Sequence, residues 1–287
     1  MNNKNNKTTK PLRNNTWLKI LLAMIAFFVQ FIFIGIVINP KQGEFNKIRI
    51  ASLLTKICMI IIACILTKYI DKRNIDFLGI KFEKSRSLKL FGTGCLIVLV
   101  QLILIDGCAY LFNIVKNGSF NFSLQVLFMG ILIFFIHTLF TGISEEMLFR
   151  GYILGNLLNK YSEFRAVIIS AVLFTVIHVS SALKFIDYLD IFLMGIIFAY
   201  LYLLTKSLYL PIGVHFFSDF VQEEIFIVQD VADNPYAIMS FNLQDNLIIN
   251  GANFGPKIEI LFVITEIVML IGIYLYRKRT ITFNSRK

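Results

Sequence analysis

Residues 124–150 read LQVLFMGILIFFIHTLFTGISEEMLFR. The stretch is apolar for about twenty residues, the length that carries a helix across the hydrocarbon core of a bilayer. It then places Glu145, Glu146 and Arg150 within six positions. Charge is costly at such a place, and an ionisable group beside a membrane span is a functional hypothesis by default.

Working outward, seven more apolar stretches share this character, roughly 17–38, 48–70, 88–114, 164–183, 185–205, 208–227 and 257–276, beside 124–146 itself. Each must be helical, because backbone groups in lipid have to be satisfied within the segment. The alternation of a transmembrane barrel is absent. Composition agrees. The 287 residues are 57% hydrophobic and only 16% charged, against about half and a quarter in soluble domains, and mean hydropathy is +0.72. The expected fold is an all-α polytopic membrane bundle of about eight transmembrane helices. It occupies 17–276 as one domain, between basic tails at 1–16, expected to be disordered, and 277–287. The run 17–38 is longer than the apolar part of a signal peptide and closes on no small-residue cleavage site, so it reads as a retained first span.

Segment 147–161 differs from the spans. Its apolar residues alternate with Arg150, Asn156, Asn159 and Lys160, the pattern of an amphipathic helix at the membrane interface. The stretch 228–256 reads as a sizeable loop.

The net charge of +10 does not mark a nucleic-acid surface. Basic residues cluster in the tails and in the loop with Lys72, Arg73, Lys81, Lys84 and Arg86, whereas 207–256 contains none. With eight spans these basic segments share one side, which the positive-inside bias makes cytoplasmic, so both termini are expected there. The loop with Lys41, Lys47 and Arg49 runs against this bias. The four cysteines, all within spans, form no zinc-ligand spacing.

Three polar groups could carry chemistry. In E-E-x-x-x-R, Glu146 and Arg150 are four apart and share a helix face, while Glu145 points about 100° away. One carboxylate is thereby neutralised and the other left for work. The spacing alone fits a helix end at the interface equally well. The second group is F-x-x-x-H, Phe174 and His178. A single histidine there also suits a hydrogen bond to another helix. The third is H-x-x-x-D, His215 and Asp219, whose spacing suits joint grip on a metal, a water or a developing oxyanion, or a polar contact between helices. Together, two histidines and a free carboxylate are the parts that activate water and stabilise a tetrahedral intermediate. His137 is expected to pack helices, Lys56 to snorkel, and Asp106 and Glu266 to meet polar groups inside the bundle.

One geometric condition follows. Glu145 ends its span by hydropathy, whereas His178 lies about 20 Å beyond the start of the next. They meet only if the fourth helix continues past Glu145 or the fifth begins below the membrane.

These motifs, in this order, resemble those of the CAAX protease and bacteriocin-processing family, also called Abi or CPBP. EEMLFRGYILGNL, AVLFTVIH and SLYLPIGVHFFSDF carry the likeness, which covers roughly 124–225. The resemblance implies an intramembrane endopeptidase acting on a peptide or membrane protein, prenylated or not. It assigns Glu145 as general base with His178, His215 and Asp219 to the oxyanion, and Glu146 and Arg150 to support. An aspartate at 219 donates to an oxyanion only when protonated, so the position leaves open a divalent metal such as zinc, with Glu145, His178, His215 and Asp219 as candidate ligands. No H-E-x-x-H motif is present. Bacterial members are linked to peptide maturation and bacteriocin immunity, and the Asn-, Lys- and Ile-rich composition suits an AT-rich bacterial genome and a bacterial cell membrane. Two other readings stand beside the peptidase: a non-catalytic immunity or interaction protein of the same fold, and a transporter. The latter often shows inverted repeats, which this sequence lacks.

Overall fold

The computed structural model of the protein describes residues 15–41, 44–112, 115–120, 123–124, 128, 131–180, 183–222, 226–228, 239–243 and 256–284. The N-terminal tail and most of the loop at 228–256 lie outside these. Eight principal helices are described: α1 (Thr16–Ile38), α2 (Phe45–Ile65, extended by a π turn to Ile70), α3 (Lys84–Leu111), α4 (Ile131–Glu146), α5 (Glu163–Val176), α6 (Phe185–Thr205), α7 (Tyr209–Phe220) and α8 (Pro256–Asn284). Each corresponds to one span expected from the apolar runs. Six are long and apolar enough to cross a membrane. The other two, α5 with 14 residues and α7 with 12, are shorter. They carry the histidine motifs.

The bundle is apolar on the outside as well as inside. Val29, Phe33 and Ile36 of α1 and Leu96 and Ile103 of α3 are exposed, which suits lipid rather than water as the surrounding solvent. Several polar side chains instead face inward, Lys19, His137, Glu145, Glu146, Arg150 and His215 among them. This polytopic α-helical bundle is an integral membrane protein by its helices and composition.

A small three-stranded sheet is added at one end. β1 (Val115–Phe120), which follows α3, pairs antiparallel with β3 (Met239–Leu243), and β2 (Phe226–Val228) lies parallel on the other edge of β3. Short strands paired across more than a hundred residues leave little local signal, so the apolar runs did not announce them.

At the opposite end the polar contacts tie several helix ends together. Lys19 of α1 meets Asp71 at 2.7 Å and donates to Asn156 Oδ1 at 3.1 Å. Asn156 donates to Asp71 in turn at 2.9 Å. Arg277 of α8 makes a two-pronged contact with Glu163 of α5, at 2.5 and 2.9 Å. This end also bears the loop with Lys72 and Arg73.

Segment 147–161 departs from the sequence expectation over 147–157, whereas Asn159 and Lys160 beyond it are exposed. The stretch 147–157 is not an amphipathic helix lying at the interface. It continues α4 as a π-helix over Met147–Leu154 and one α turn over Gly155–Leu157, and every side chain from Met147 to Leu154 is buried. Its polar residues face partners inside the bundle rather than water: Arg150 finds Glu146 and Asn156 finds Lys19 and Asp71. The continuation supplies the first of the two ways in which Glu145 and His178 can meet. Glu145 lies about 18 Å from the Leu157 end of its helix and His178 about 22 Å from the start of α5, at 1.5 Å per residue.

Helix α7 is pressed against its neighbours by glycines. A Cβ on Gly213 would lie 2.2 Å from the Phe91 carbonyl oxygen, and one on Gly94 would lie 2.5 Å from that of Leu210. Close approach of backbones through small residues is how helices associate in lipid. Here it seats α7 against α3 and fixes the depth of His215, two residues after Gly213. Gly213→Ala is expected to lower stability by about 2 kcal/mol or more through overpacking. Gly272→Ala, with nothing within 4 Å, should not. Thermal denaturation of both variants in detergent measures the difference, and equal midpoints would show that this contact does not set the packing.

Candidate active site

The site is built on a buried ion pair. Glu146 and Arg150 are both fully buried, with Arg150 Nη1 donating to Glu146 Oε1 at 2.8 Å. Arg150 Nη2 donates to the Gly195 carbonyl of α6 at 3.2 Å. The guanidinium carbon lies 4.3 Å from the Phe174 ring centroid and 4.9 Å from that of Phe198, so two aromatic faces enclose the cation. Glu146 Oε1 also accepts from His215 Nδ1 at 3.0 Å. Glu146 and Arg150 therefore hold α4, α5, α6 and α7 in one arrangement and orient the His215 ring. Phe198 stacks on that ring at 4.9 Å with 10° between planes.

Glu145 points elsewhere, as one-residue spacing requires. Its Oε1 is paired with the Lys56 ammonium of α2. Its Oε2 is buried without a hydrogen-bond partner and stands 3.7 Å from His178 Nε2 and 3.8 Å from His215 Nε2. These separations are too long for direct hydrogen bonds. They bracket a space that one small oxygen species can bridge. Asp219 Oδ2 lies 3.5 Å from His215 Nε2, one helical turn on.

His178 was expected deep within a span. The structure ends α5 at Val176, so His178 sits on the turn just beyond it. The last carbonyls of a helix lack intrahelical partners, and His178 Nδ1 donates to one of them, Phe174 O, at 2.8 Å. This explains the four-residue spacing in F-x-x-x-H. The ring closes on the carbonyl of the phenylalanine, with centroids 4.7 Å apart. Because Nδ1 must donate there, Nε2 of the neutral ring is the acceptor, and it faces Glu145.

The structure thus brings Glu145, Glu146, Arg150, His178, His215 and Asp219 together, from α4, the end of α5 and α7. Lys56 joins them in place of snorkelling. A lysine within an apolar run was the signal for it, but its partner lies 89 positions away. His137 faces Arg49 and Ser52. Asp106 is exposed on α3 and Glu266 is buried on α8; neither approaches this cluster.

A cavity of about 320 Å³ opens onto Glu145 and His178. Phe27, Phe31 and Ile34 of α1 form one wall, and Ser52 and Lys56 of α2 another. As arranged, the donor set does not fit a zinc site. Among the described residues no group of three or more His, Cys, Asp or Glu side chains is placed to hold a metal ion. One oxygen of Glu145 is already taken by the Lys56 ammonium.

Removing one member of a buried ion pair leaves an uncompensated charge, at a cost of about 3–5 kcal/mol. Arg150→Met is expected to destabilise by that order, and the double variant Glu146→Gln/Arg150→Met to recover part of the loss. Thermal or denaturant unfolding in detergent measures it. A double variant no more stable than Arg150→Met alone would show that the two groups are not coupled.

No curated protein matches the chain. Residues 126–221, about a third of the sequence, match the model of a family described as Rce1-like, type II CAAX prenyl endopeptidase Rce1-like. The match runs from near the start of the first motif's apolar run to just beyond Asp219 and includes every residue of the cluster except Lys56. The likeness read from the three motifs is therefore shown, and the site-bearing segment is similar to the Rce1-like family, described as type II CAAX prenyl endopeptidase.

Proposed function

We propose that the protein is an intramembrane endopeptidase in which Glu145 activates a water molecule for attack on a peptide bond of a membrane-associated peptide or protein. The observation that carries this reading is the second oxygen of Glu145. It is buried, has no hydrogen-bond partner, and is flanked by imidazole nitrogens from two other helices at 3.7 and 3.8 Å.

A water between Glu145 Oε2 and His178 Nε2 donates one proton to each, which directs its lone pair at the carbonyl carbon of the substrate. Glu145 takes the proton as the C–O bond forms. His215, protonated on both nitrogens, donates Nδ1–H to Glu146 and presents Nε2–H to the developing oxyanion. Asp219 lies beside that nitrogen and stabilises its charged form. Collapse of the tetrahedral intermediate breaks the C–N bond, and the proton held by Glu145 passes to the leaving amine. Lys56 keeps Glu145 charged in an apolar setting before substrate arrives.

The clustering of Lys and Arg at the end that bears the N-terminus, the loop after α2 and the end of α8 favours a cytoplasmic location for that face and for both termini. The composition favours a bacterial cell membrane.

Glu145→Gln is expected to lower peptide turnover about 10³-fold, within the range for a general base, while the protein still folds. Purified wild type and variant are compared in detergent with an internally quenched apolar peptide. Equal turnover by the two would remove Glu145 as the base, and no turnover by the wild type would leave a non-catalytic protein of the same fold. Lys56→Met should reduce turnover in the wild-type background yet add little to Glu145→Gln, because the two act as one unit. Additive losses would place Lys56 in a separate role.

A further inference from the structure

Ser52 lines the same cavity as Lys56, four residues away on α2 and so on the same helix face. Behind it, outside the cavity, stands a directional chain of donors. Arg49 Nη1 meets His137 Nδ1 at 3.2 Å, and His137 Nε2 meets Ser52 Oγ at 2.9 Å. A guanidinium only donates. His137 Nδ1 must therefore accept, and its Nε2–H donates to Ser52 Oγ. This leaves the hydroxyl proton of Ser52 to be given away, and polarised by the donors behind it. The neighbouring Thr55 gives its own proton to the Ala51 carbonyl at 3.0 Å. Ser52 makes no such backbone bond among the described residues and faces the cavity. The Phe134 ring, 4.5 Å from the guanidinium carbon, steadies Arg49.

The bland account is that Ser52 and His137 simply join α2 to α4. That account explains the contact, but not why the chain of donors ends on a hydroxyl in the one wall that also carries the Glu145 partner. Beside Ser52 that wall carries the apolar Ile48 and Ala51, Thr55, whose proton is spent on the Ala51 carbonyl, and Lys56, which is paired with Glu145. A hydroxyl whose proton is not spent on a neighbouring group, in a groove walled largely by apolar side chains, specifies an acceptor on the occupant.

We propose that Ser52 donates a hydrogen bond to a backbone carbonyl of an extended peptide lying along the α1–α2 groove, about two residues from the bond that is cleaved. The register follows from lengths. Four residues of helix advance about 6 Å, and an extended chain advances about 3.3 Å per residue. Carbonyls two residues apart on such a chain point the same way, so one can face Ser52 while the other faces the Glu145 site. The groove runs from the Pro40 end of α1 to Glu145 and His178, so the peptide enters from the end of the bundle opposite Lys19 and Asp71. Arg49 and His137 are positioning residues, acting through Ser52. This proposal rests on the peptidase reading for its substrate.

The test uses binding rather than cleavage. The probe is a fluorescent apolar hexapeptide whose central amide is replaced by an uncleavable ketomethylene. Two analogues carry CH2 in place of the carbonyl two residues before or two residues after that centre. Anisotropy in detergent is measured for wild type, Ser52→Ala and Ser52→Thr. Loss of one of these carbonyls is expected to weaken wild-type binding about tenfold, the worth of one good hydrogen bond. Ser52→Ala should weaken the parent probe by the same factor and no longer distinguish it from that analogue, whereas Ser52→Thr should behave as wild type. Three results would overturn the proposal: equal weakening of all probes by Ser52→Ala, equal binding of all probes by wild type, or no binding of the parent probe. Since no bond is cleaved, the turnover comparison with Glu145→Gln fails or succeeds separately.

Discussion

The structure depends on a buried charge that is balanced in place. Arg150 is among the largest side chains with no exposure at all. An ion taken out of water costs several kcal/mol unless its partners are well placed. Here they are a carboxylate one helical turn away, a carbonyl from a second helix, and two aromatic faces from that helix and a third. The arrangement is satisfied only when α4, α5 and α6 are docked. The same carboxylate that neutralises Arg150 also receives His215 from α7. A single oxygen thus links the stability of the bundle to the orientation of an imidazole. A surface pair of the same spacing would do neither, because water would satisfy its ends.

With Glu146 so engaged, its neighbour Glu145 is available. Two adjacent carboxylates on a helix diverge by about 100°, so one can be spent on packing while the other faces a cavity. The π-helical stretch that begins at Met147 comes directly after the pair. Such stretches recur at functional sites because they shift the register of the side chains that follow. Here the helix keeps going into the bundle rather than emerging to an interface, and this sets Glu145 near the middle of its length rather than at its end.

Two short helices complete the site by being short. α5 stops at Val176, and His178 caps a freed carbonyl while turning its other nitrogen to Glu145. α7 is held at depth by glycine contacts with α3. A full-length upright span in either place would carry its histidine past the carboxylate. Lys56 supplies the opposing charge from α2, a helix outside the segment that matches the family. The N-terminal helices are therefore more than a casing. They bring the cation, the hydroxyl of Ser52 and the walls of the groove.

Much of this was legible in the chain itself. Apolar length alone specified helices, because lipid offers the backbone no alternative partner, and all eight runs became helices. The grouping of Glu145, Glu146, Arg150, His178, His215 and Asp219 was readable because each motif repeats at helical spacing, which local geometry converts into a shared face. What local geometry does not contain is depth and partnership across distant segments. Lys56 and Glu145 are far apart in sequence, and nothing near either names the other. The segment after Glu146 has an amphipathic pattern that water and protein can satisfy equally, and only docking made Arg150 and Asn156 inward-facing while Asn159 and Lys160 stay exposed. The small sheet pairs strands from opposite halves of the chain. Sequence determined which elements form and which side chains share a face, since these follow from spacing. Tertiary structure alone decided which faces meet and how deep, since that depends on close backbone contacts and on which buried charges find one another.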